Sequence, residues 1–145
     1  MRVCVIDGQG GGIGAQLIQR LVDVTGATVD LVGLAMNRAA AAKMSKAGAS
    51  HVAMGEWAIV RSIQEADVIV GSLGIVLPGS MAGEVTPEVA SAVLRAHGRK
   101  ILLPINRHRV EVVGADTPTL EPLIEQTVKR VQALIASDPT QDRQQ

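Results

Sequence analysis

The chain has 145 residues, of which 47% are hydrophobic and 19% charged, so it holds enough apolar side chains for the core of one domain. Fourteen basic residues balance fourteen acidic ones, and Trp57 is the only aromatic residue. Neither a basic face nor a stacking platform for nucleic acid is therefore expected. No apolar run reaches the ~20 residues that span a bilayer, and no signal-peptide pattern is visible. The composition predicts a cytoplasmic protein that binds neither nucleic acid nor membranes.

Strand-like and helix-like segments alternate along the first half of the chain. β-branched runs predict strands buried on both faces, and apolar residues at helical spacing predict helices that cover them. Asn37 is a predicted N-cap and Gly48 a predicted left-handed C-cap. The predicted elements are a strand at 2–6, a helix from 13 to 26, a strand at 29–34, a helix at 38–47, a strand at 51–54 and a helix at 57–64.

The alternation continues in the second half. The motif Thr86-Pro87-Glu88 is a helix start, with a hydroxyl cap, a proline in the first turn and an acid near the positive end of the dipole. The predicted elements are a strand at 67–70, a glycine-rich loop at 71–83, a helix from 86 to about 97, a strand at 100–105, a sixth strand at 110–113, a last helix opened by Thr117-Pro118 and a flexible tail at 137–145.

This order predicts an α/β fold for residues 1–136. Strands that alternate with helices over short connections form a parallel sheet with helices on both faces. We therefore expect a three-layer Rossmann-like domain with a mostly parallel sheet of five or six strands. The first strand should be central, with the second and fourth beside it.

The stretch GQGGGIG, residues 8–14, contains five glycines among seven residues. A helix that begins directly after a strand presents unpaired N–H groups and the positive end of its dipole to an anion. Phosphate can approach such a backbone only where no Cβ stands in the way, whereas a tight strand–helix turn alone needs one or two glycines. The residues predicted to bind a phosphate-bearing ligand here are Gly8, Gln9, Gly10, Gly11, Gly12, Ile13 and Gly14.

The spacing of these glycines separates the known types of phosphate loop. Gly10, Gly12 and Ala15 fit the GxGxxA form, and the same stretch resembles the TGxxxGIG turn of short-chain dehydrogenases, with Asp7 in place of the threonine. An ATPase loop is excluded, because no Lys and no hydroxyl residue follow the last glycine. The chain contains no tyrosine, so the Tyr-x-x-x-Lys proton relay of the short-chain dehydrogenases cannot exist.

The end of the second predicted strand reads LAMNR and carries no carboxylate for ribose hydroxyls. Asn37 and Arg38 resemble the Asn-Arg pair of NADP-preferring Rossmann enzymes, in which the guanidinium meets the 2′-phosphate. The alternative is a helix cap followed by an ordinary exposed arginine. If a dinucleotide binds, the sequence favours NADP over NAD.

Other candidate residues follow the fourth and fifth predicted strands. Gly71, Ser72 and Gly74 are expected to face the first glycine loop across the crevice where the strand order reverses. Glu84, Arg107 and His108 are weak candidates for catalytic groups, as is Asn106, and ordinary surface positions are the alternative for each. The three histidines share no metal-ligand spacing, and the single cysteine cannot form an internal disulfide, so no metal site is predicted.

Several blocks of the chain together resemble a family of short, single-domain bacterial proteins classed as a domain of unknown function. These blocks are VIDGQGGGIG, KAGA, GEWAIV, ADVIVGSLGIV, MAGEVTPEVA, ILLPINR and VEVVG, and they span nearly the whole chain. The resemblance implies a Rossmann-like fold without an established activity, and it assigns no catalytic residue.

Three functions remain open at this point. The first is a stand-alone nucleotide- or dinucleotide-binding domain that acts as a sensor or as one subunit of something larger. The second is a small oligomeric oxidoreductase or transferase that acts on a phosphorylated metabolite. The third is an interaction protein that binds no ligand. The high apolar fraction in so small a chain favours a homo-oligomer.

Overall fold

A computed structural model describes residues 1–115 and 119–138 of the chain. Two short 3₁₀ helices span Ile63–Glu65 and Leu73–Val76. The strands are β1 (Arg2–Asp7), β2 (Asp30–Ala35), β3 (His51–Met54), β4 (Val68–Ser72) and β5 (Arg99–Leu103). The helices are α1 (Gly12–Thr25), α2 (Arg38–Ala47), α3 (Glu56–Ser62), α4 (Pro87–Arg95) and α5 (Leu120–Ala136).

The five strands form one parallel sheet in the order β3-β2-β1-β4-β5. Strand β1 is central, and its Val5 lies between Gly33 of β2 and Val70 of β4. The predicted Rossmann-like α/β fold is confirmed. The strand order reverses between β1 and β4, so the carboxyl ends of these strands border the crevice in which such sheets bind ligands.

Alternate side chains of the strands pack into two separate hydrophobic cores, one on each face of the sheet. Val3 and Val5 pack with helices α1, α2 and α5, whereas Cys4 and Ile6 pack with α3 and α4. Successive strand side chains point to opposite faces, and helices cover both faces. This explains why β1 is an uninterrupted apolar run up to Ile6.

Local signals at the helix ends are also as predicted. Asn37 Oδ1 accepts a hydrogen bond from Ala40 N at 2.9 Å, and Gly48 ends α2 in the left-handed conformation. Thr86 caps α4 by accepting a hydrogen bond from Val89 N at 3.2 Å, with Pro87 in the first turn. Asn37 and Thr86 satisfy amides that a helix start leaves unpaired.

Several predicted boundaries need correction. Residues 110–113 form no strand, and they are exposed with a turn at 113–114. Strand β4 continues to Ser72, so Gly71 belongs to the sheet rather than to the following loop. Strand β5 ends at Leu103, directly before Pro104, which cannot donate to a strand ladder. The predicted helix start Thr117-Pro118 and tail residues 139–145 lie outside the described residues.

Within the two described ranges, no helix combines the length and the hydropathy that crossing a membrane requires.

Candidate functional site

The loops that follow β1, β4 and β5 meet at the carboxyl edge of the sheet and enclose a cavity of about 210 Å³. The cavity therefore lies at the point where the strand order reverses. Its lining is Asp7, Gln9, Ile13, Ser72, Gly74, Ser80, Met81, Ala82, Ile105, Asn106, Arg107 and His108.

Asp7, the last residue of β1, occupies the inner side of the glycine loop. Its carboxylate accepts hydrogen bonds from Gly8 N at 2.8 Å and from Gly14 N at 2.7 Å. Only 7% of the residue is exposed. Burial raises the pKa of the Asp7 carboxyl, although the hydrogen bonds from Gly14 and Gly8 oppose this rise. Asp7 is thus a buried carboxyl group on the cavity wall.

Glu84 ties a second segment to the glycine loop. This segment, residues 77–85, we call the strap; it leads from the 3₁₀ helix after β4 towards α4. Glu84 Oε1 accepts a hydrogen bond from Gln9 N at 2.7 Å, and Oε2 accepts one from Asn37 Nδ2 at 2.8 Å. Asn37 Nδ2 also donates to Gln9 O at 2.9 Å. The Glu84 carboxylate therefore lies between the glycine loop and the end of β2.

Three amides of the glycine loop remain without a hydrogen-bond partner among the described residues: those of Gly10, Gly12 and Ile13. Gly12 and Ile13 form the first turn of α1, where the helix dipole favours negative charge. A Cβ placed on Gly12 would meet no atom within 4 Å, and one on Gly10 would lie 3.9 Å from Lys43 Nζ. We call these three amides and Lys43 the outer cradle.

The glycines at 8, 11 and 14 have a different reason to be glycine. Gly11 has φ of +71°, and a Cβ there would lie 2.6 Å from Ala40 Cα. A Cβ on Gly14 would lie 2.7 Å from Asp7 Cβ, and one on Gly8 would lie 3.0 Å from Glu84 Oε1. Packing within the protein therefore explains three of the five glycines, and it leaves Gly10 and Gly12 unexplained.

Strand β4 and the strap supply two serines to the cavity. Ser80 is 2% exposed, and its hydroxyl has no hydrogen-bond partner among the residues described. A Cβ on Gly74 would lie 3.2 Å from Ser72 Oγ and 3.6 Å from Ser80 Oγ, so a side chain at Gly74 would crowd both hydroxyls. Gly71 does not line the cavity, because a Cβ there would point at Ile6 O and the Ile75 side chain.

The loop after β5 forms the open side of the cavity. Asn106 organises this loop, since its Oδ1 accepts hydrogen bonds from His108 N and Val110 N and its Nδ2 donates to Val110 O. Arg107 and His108 line the cavity, and both are exposed. Arg107 therefore offers a cation at the cavity mouth, whereas Asn106 has a structural task.

Left-handed backbone is concentrated at this site. Non-glycine residues with positive φ in the described part of the chain are Gln9, Met81, Ala82 and Arg109. Gln9, Met81 and Ala82 line the cavity. Each such residue costs roughly 1–3 kcal/mol, and this kind of strain clusters at active sites and ligand clamps.

Some of the residues that the sequence predicts for the site do not line the cavity. Arg38 is exposed at the start of α2 and does not line the cavity, and Glu84 is bound to the glycine loop instead of facing the cavity. Asp7, Lys43 and Ser80 were not among the predicted site residues. An acid that ends a buried strand was a visible signal for Asp7. Lys43 and Ser80 carried no such signal, because their positions depend on how α2 and the strap pack.

In the part of the chain that the structure describes, no group of three or more His, Cys, Asp or Glu residues is placed to hold a metal ion.

The solved structures that match the chain include two proteins from bacteria. A dodecameric FMN-dependent Ubix-like decarboxylase from Escherichia coli O157:H7 matches with a TM-score of 0.54 and 14% identity over 95% of both chains. A putative NAD-dependent epimerase/dehydratase from Bacillus halodurans matches with a TM-score of 0.32 and 20% identity, over 69% of this chain and 67% of the other. At 14% identity the first likeness shows the fold alone.

Sequence comparison points to a family without an assigned activity. No curated protein matches the chain. Residues 2–136 match the model of a family described as a domain of unknown function, DUF3842. Because the match covers nearly the whole sequence, the chain belongs to this family.

Proposed function

We propose that the chain binds a phosphate-bearing nucleotide or flavin, with a phosphate group at the outer cradle. The observation that carries the proposal is the set of unpaired amides at Gly10, Gly12 and Ile13, together with the absence of a Cβ at the two glycines. A helix N-terminus of this kind attracts an anion through its N–H groups and its dipole. The ammonium group of Lys43, close to Gly10, adds a positive charge.

The rest of such a ligand would lie in the cavity, which Ile13 connects to the outer cradle. The likeness to the fold of an FMN-dependent enzyme makes FMN one candidate, and a nicotinamide dinucleotide is another. A ligand that carries a single terminal phosphate requires only the outer cradle. A dinucleotide would also extend towards the end of β2, where ribose hydroxyls bind in Rossmann folds.

The Glu84 carboxylate lies beside Asn37 at that end of β2. The sequence lacks an acid directly after β2, and for this reason it favours NADP with Arg38 at the 2′-phosphate. Glu84 brings a carboxylate to the same region from a distant part of the chain. A carboxylate accepts hydrogen bonds from ribose hydroxyls and repels a 2′-phosphate. We therefore propose that FMN or NAD binds in preference to NADP.

Calorimetric titration of the purified protein with FMN, NAD and NADP tests this proposal. We expect FMN or NAD to bind more tightly than NADP to the wild type. Glu84→Gln should strengthen NADP binding by about fivefold and leave FMN binding unchanged, since a charge-assisted contact contributes about 1 kcal/mol. Glu88→Gln, which removes an exposed carboxylate on α4, is the matched control.

Two results of these titrations would contradict the proposal. Preference of the wild type for NADP, lost in Arg38→Ala, would restore the sequence-based interpretation and remove the role proposed for Glu84. Absence of binding by all three compounds at millimolar concentration would leave an interaction protein as the better description.

A second function is favoured by Asp7. A buried carboxyl group with a raised pKa on a cavity wall is suited to donate or accept a proton. The chain would then be a small cytoplasmic oxidoreductase or transferase that acts on a phosphorylated metabolite as a homo-oligomer. Exposed apolar residues, among them Trp57 and the 96%-exposed Val113, offer surfaces for such an assembly. Light scattering on the purified protein measures the oligomer directly.

A further inference from the structure

We infer that Asp7, Ser72 and Ser80 form a subsite for the hydroxyl groups of a five-carbon sugar or sugar alcohol attached to the bound phosphate. This inference deepens the proposed function and rests on it. It concerns the chemistry of the ligand next to its phosphate, which the outer cradle does not determine.

The Ser80 hydroxyl supplies the first argument. A buried polar group without a hydrogen bond destabilises the folded protein, and nearly all such groups in native proteins have partners. Ser80 is almost fully buried, lines the cavity and has no partner among the described residues. A ligand oxygen that enters the cavity would give this hydroxyl the missing hydrogen bond.

The space beside Ser80 supplies the second argument. Ser72 Oγ lies 3.2 Å and Ser80 Oγ 3.6 Å from the position that a Cβ on Gly74 would occupy. A side chain at Gly74 would crowd both hydroxyls, so the glycine allows them to lie on the same part of the cavity wall. A serine hydroxyl both donates and accepts, which matches the hydroxyl groups of a sugar better than it matches a second anion.

Asp7 supplies the third argument. The pairing of β1 with β4 ends at Val5 and Val70, and Asp7 and Ser72, each two residues further along its strand, both line the cavity. The Asp7 carboxylate already accepts two backbone hydrogen bonds and has lone pairs left for ligand hydroxyl donors. A carboxylate in this position also disfavours a second phosphate. The polar wall of the cavity therefore selects neutral hydroxyl groups.

The apolar residues of the cavity lining fit the carbon skeleton of such a sugar. Ile13, Met81 and Ile105 also line the cavity, so one side offers carbon contacts while the serine side offers hydrogen bonds. A pentose or pentitol has a carbon skeleton and hydroxyl groups in the same short segment. Ribose 5-phosphate is the smallest probe that carries both this segment and the phosphate.

Calorimetric or NMR titration with ribose 5-phosphate and with inorganic phosphate tests the inference. The wild type should bind ribose 5-phosphate about tenfold more tightly than phosphate. Ser80→Ala should weaken ribose 5-phosphate binding by about tenfold and change phosphate binding by less than about twofold. Its unfolding temperature without ligand should stay the same or rise, because the variant removes an unpaired buried hydroxyl. Ser62→Ala, on α3 outside the cavity, is the control.

Three results would overturn the inference. In the first, phosphate binds and ribose 5-phosphate binds no more tightly, which leaves the proposed function intact and removes the sugar subsite. In the second, Ser80→Ala weakens both probes equally or lowers the unfolding temperature, which assigns Ser80 a structural role. In the third, neither probe binds the wild type, which removes the outer cradle and therefore the proposed function as well.

Discussion

The amides of the glycine loop fall into two sets with opposite uses. Those of Gly8, Gln9 and Gly14 donate to the protein's own carboxylates, Asp7 and Glu84. Those of the outer cradle have no partner among the described residues. The first set shows that the loop binds negatively charged oxygen, because two carboxylates are bound there. The second set is where we propose that further negatively charged oxygen binds.

The five glycines of the loop likewise fall into two groups. Gly8, Gly11 and Gly14 are required by close approaches to Glu84, Ala40 and Asp7. The inner part of the loop is thus a packed junction between β1, α2 and the strap. Only the outer part has both unpaired amides and open space among the described residues, so we propose that phosphate binds to the outer part.

The largest expected difference lies between two adjacent alanine substitutions. Gly11→Ala should lower the free energy of unfolding by about 3 kcal/mol, because it forces a left-handed alanine against Ala40. Gly12→Ala should raise that free energy by about 0.5–1 kcal/mol, because alanine favours the first turn of α1. Urea denaturation measures both values.

The gain in stability of Gly12→Ala should be accompanied by a loss of ligand binding. The Cβ of Gly12→Ala occupies the open space of the outer cradle, so this more stable variant should bind inorganic phosphate at least about fivefold more weakly. Equal phosphate affinity in Gly12→Ala and in the wild type would contradict the division of the loop into two sets.

A smaller effect is expected from the pH dependence of Asp7. Its folded pKa is raised, so the folded protein holds this proton to higher pH than the unfolded chain does. The stabilising contribution is complete below about pH 4, the ordinary carboxyl pKa, and is lost as the pH rises through the folded pKa. The free energy of unfolding of the wild type, relative to Asp7→Asn, should therefore fall with rising pH by about 1.4 kcal/mol per unit of pKa shift.

Urea denaturation of the wild type and Asp7→Asn between pH 4 and about pH 8 measures this difference. Subtraction removes the contributions of the other carboxylates, which the two proteins share. A difference that rises with pH would mean that the hydrogen bonds from Gly8 and Gly14 outweigh burial of the charge. The inner amides would then bind an anion more strongly than we infer.

The smallest effect concerns the link between Asn37 and the loop. Asn37→Ala removes both the cap of α2 and the hydrogen bonds to Glu84 and Gln9, and should lower the free energy of unfolding by about 1–2 kcal/mol. Asn37→Ser keeps a capping oxygen and should lower it by about half as much. Thermal or urea unfolding compares them, with Thr86→Ala, which removes the cap of α4 and a hydrogen bond to Glu56, as a second cap variant. An Asn37→Ser variant as stable as the wild type would show that the link to the loop adds no stability.

The sequence predicted the sheet well because its signals there are local. Apolar runs, helical periodicity and caps such as Asn37 and Thr86 depend on neighbouring residues, and the strand order follows from a right-handed α/β connection. The prediction of a sixth strand at 110–113 is wrong. The valines of this segment fit a β pattern, but the segment pairs with no strand of the described sheet. Asn106 instead holds this segment's start in a turn.

The site was harder to predict because contacts across long stretches of sequence build it. Glu84 accepts a hydrogen bond from the Gln9 amide, 75 positions away in the sequence. This contact within the chain occupies part of the predicted phosphate loop. The position of Ser80 depends on the left-handed turn of the strap at Met81 and Ala82, which ordinary propensities disfavour. Glycine spacing predicted where phosphate could bind and could not predict which amides were already paired.

Titration of the ¹⁵N-labelled protein with inorganic phosphate, followed through its backbone amide NMR signals, tests the central claim most directly. We predict that the signals of Gly10, Gly12 and Ile13 move in a saturable manner, while those of Gly8, Gln9 and Gly14 stay nearly constant. Saturable shifts confined to Gly8, Gln9 and Gly14, or no saturable shift anywhere in the loop, would contradict the assignment of anion binding to the outer cradle.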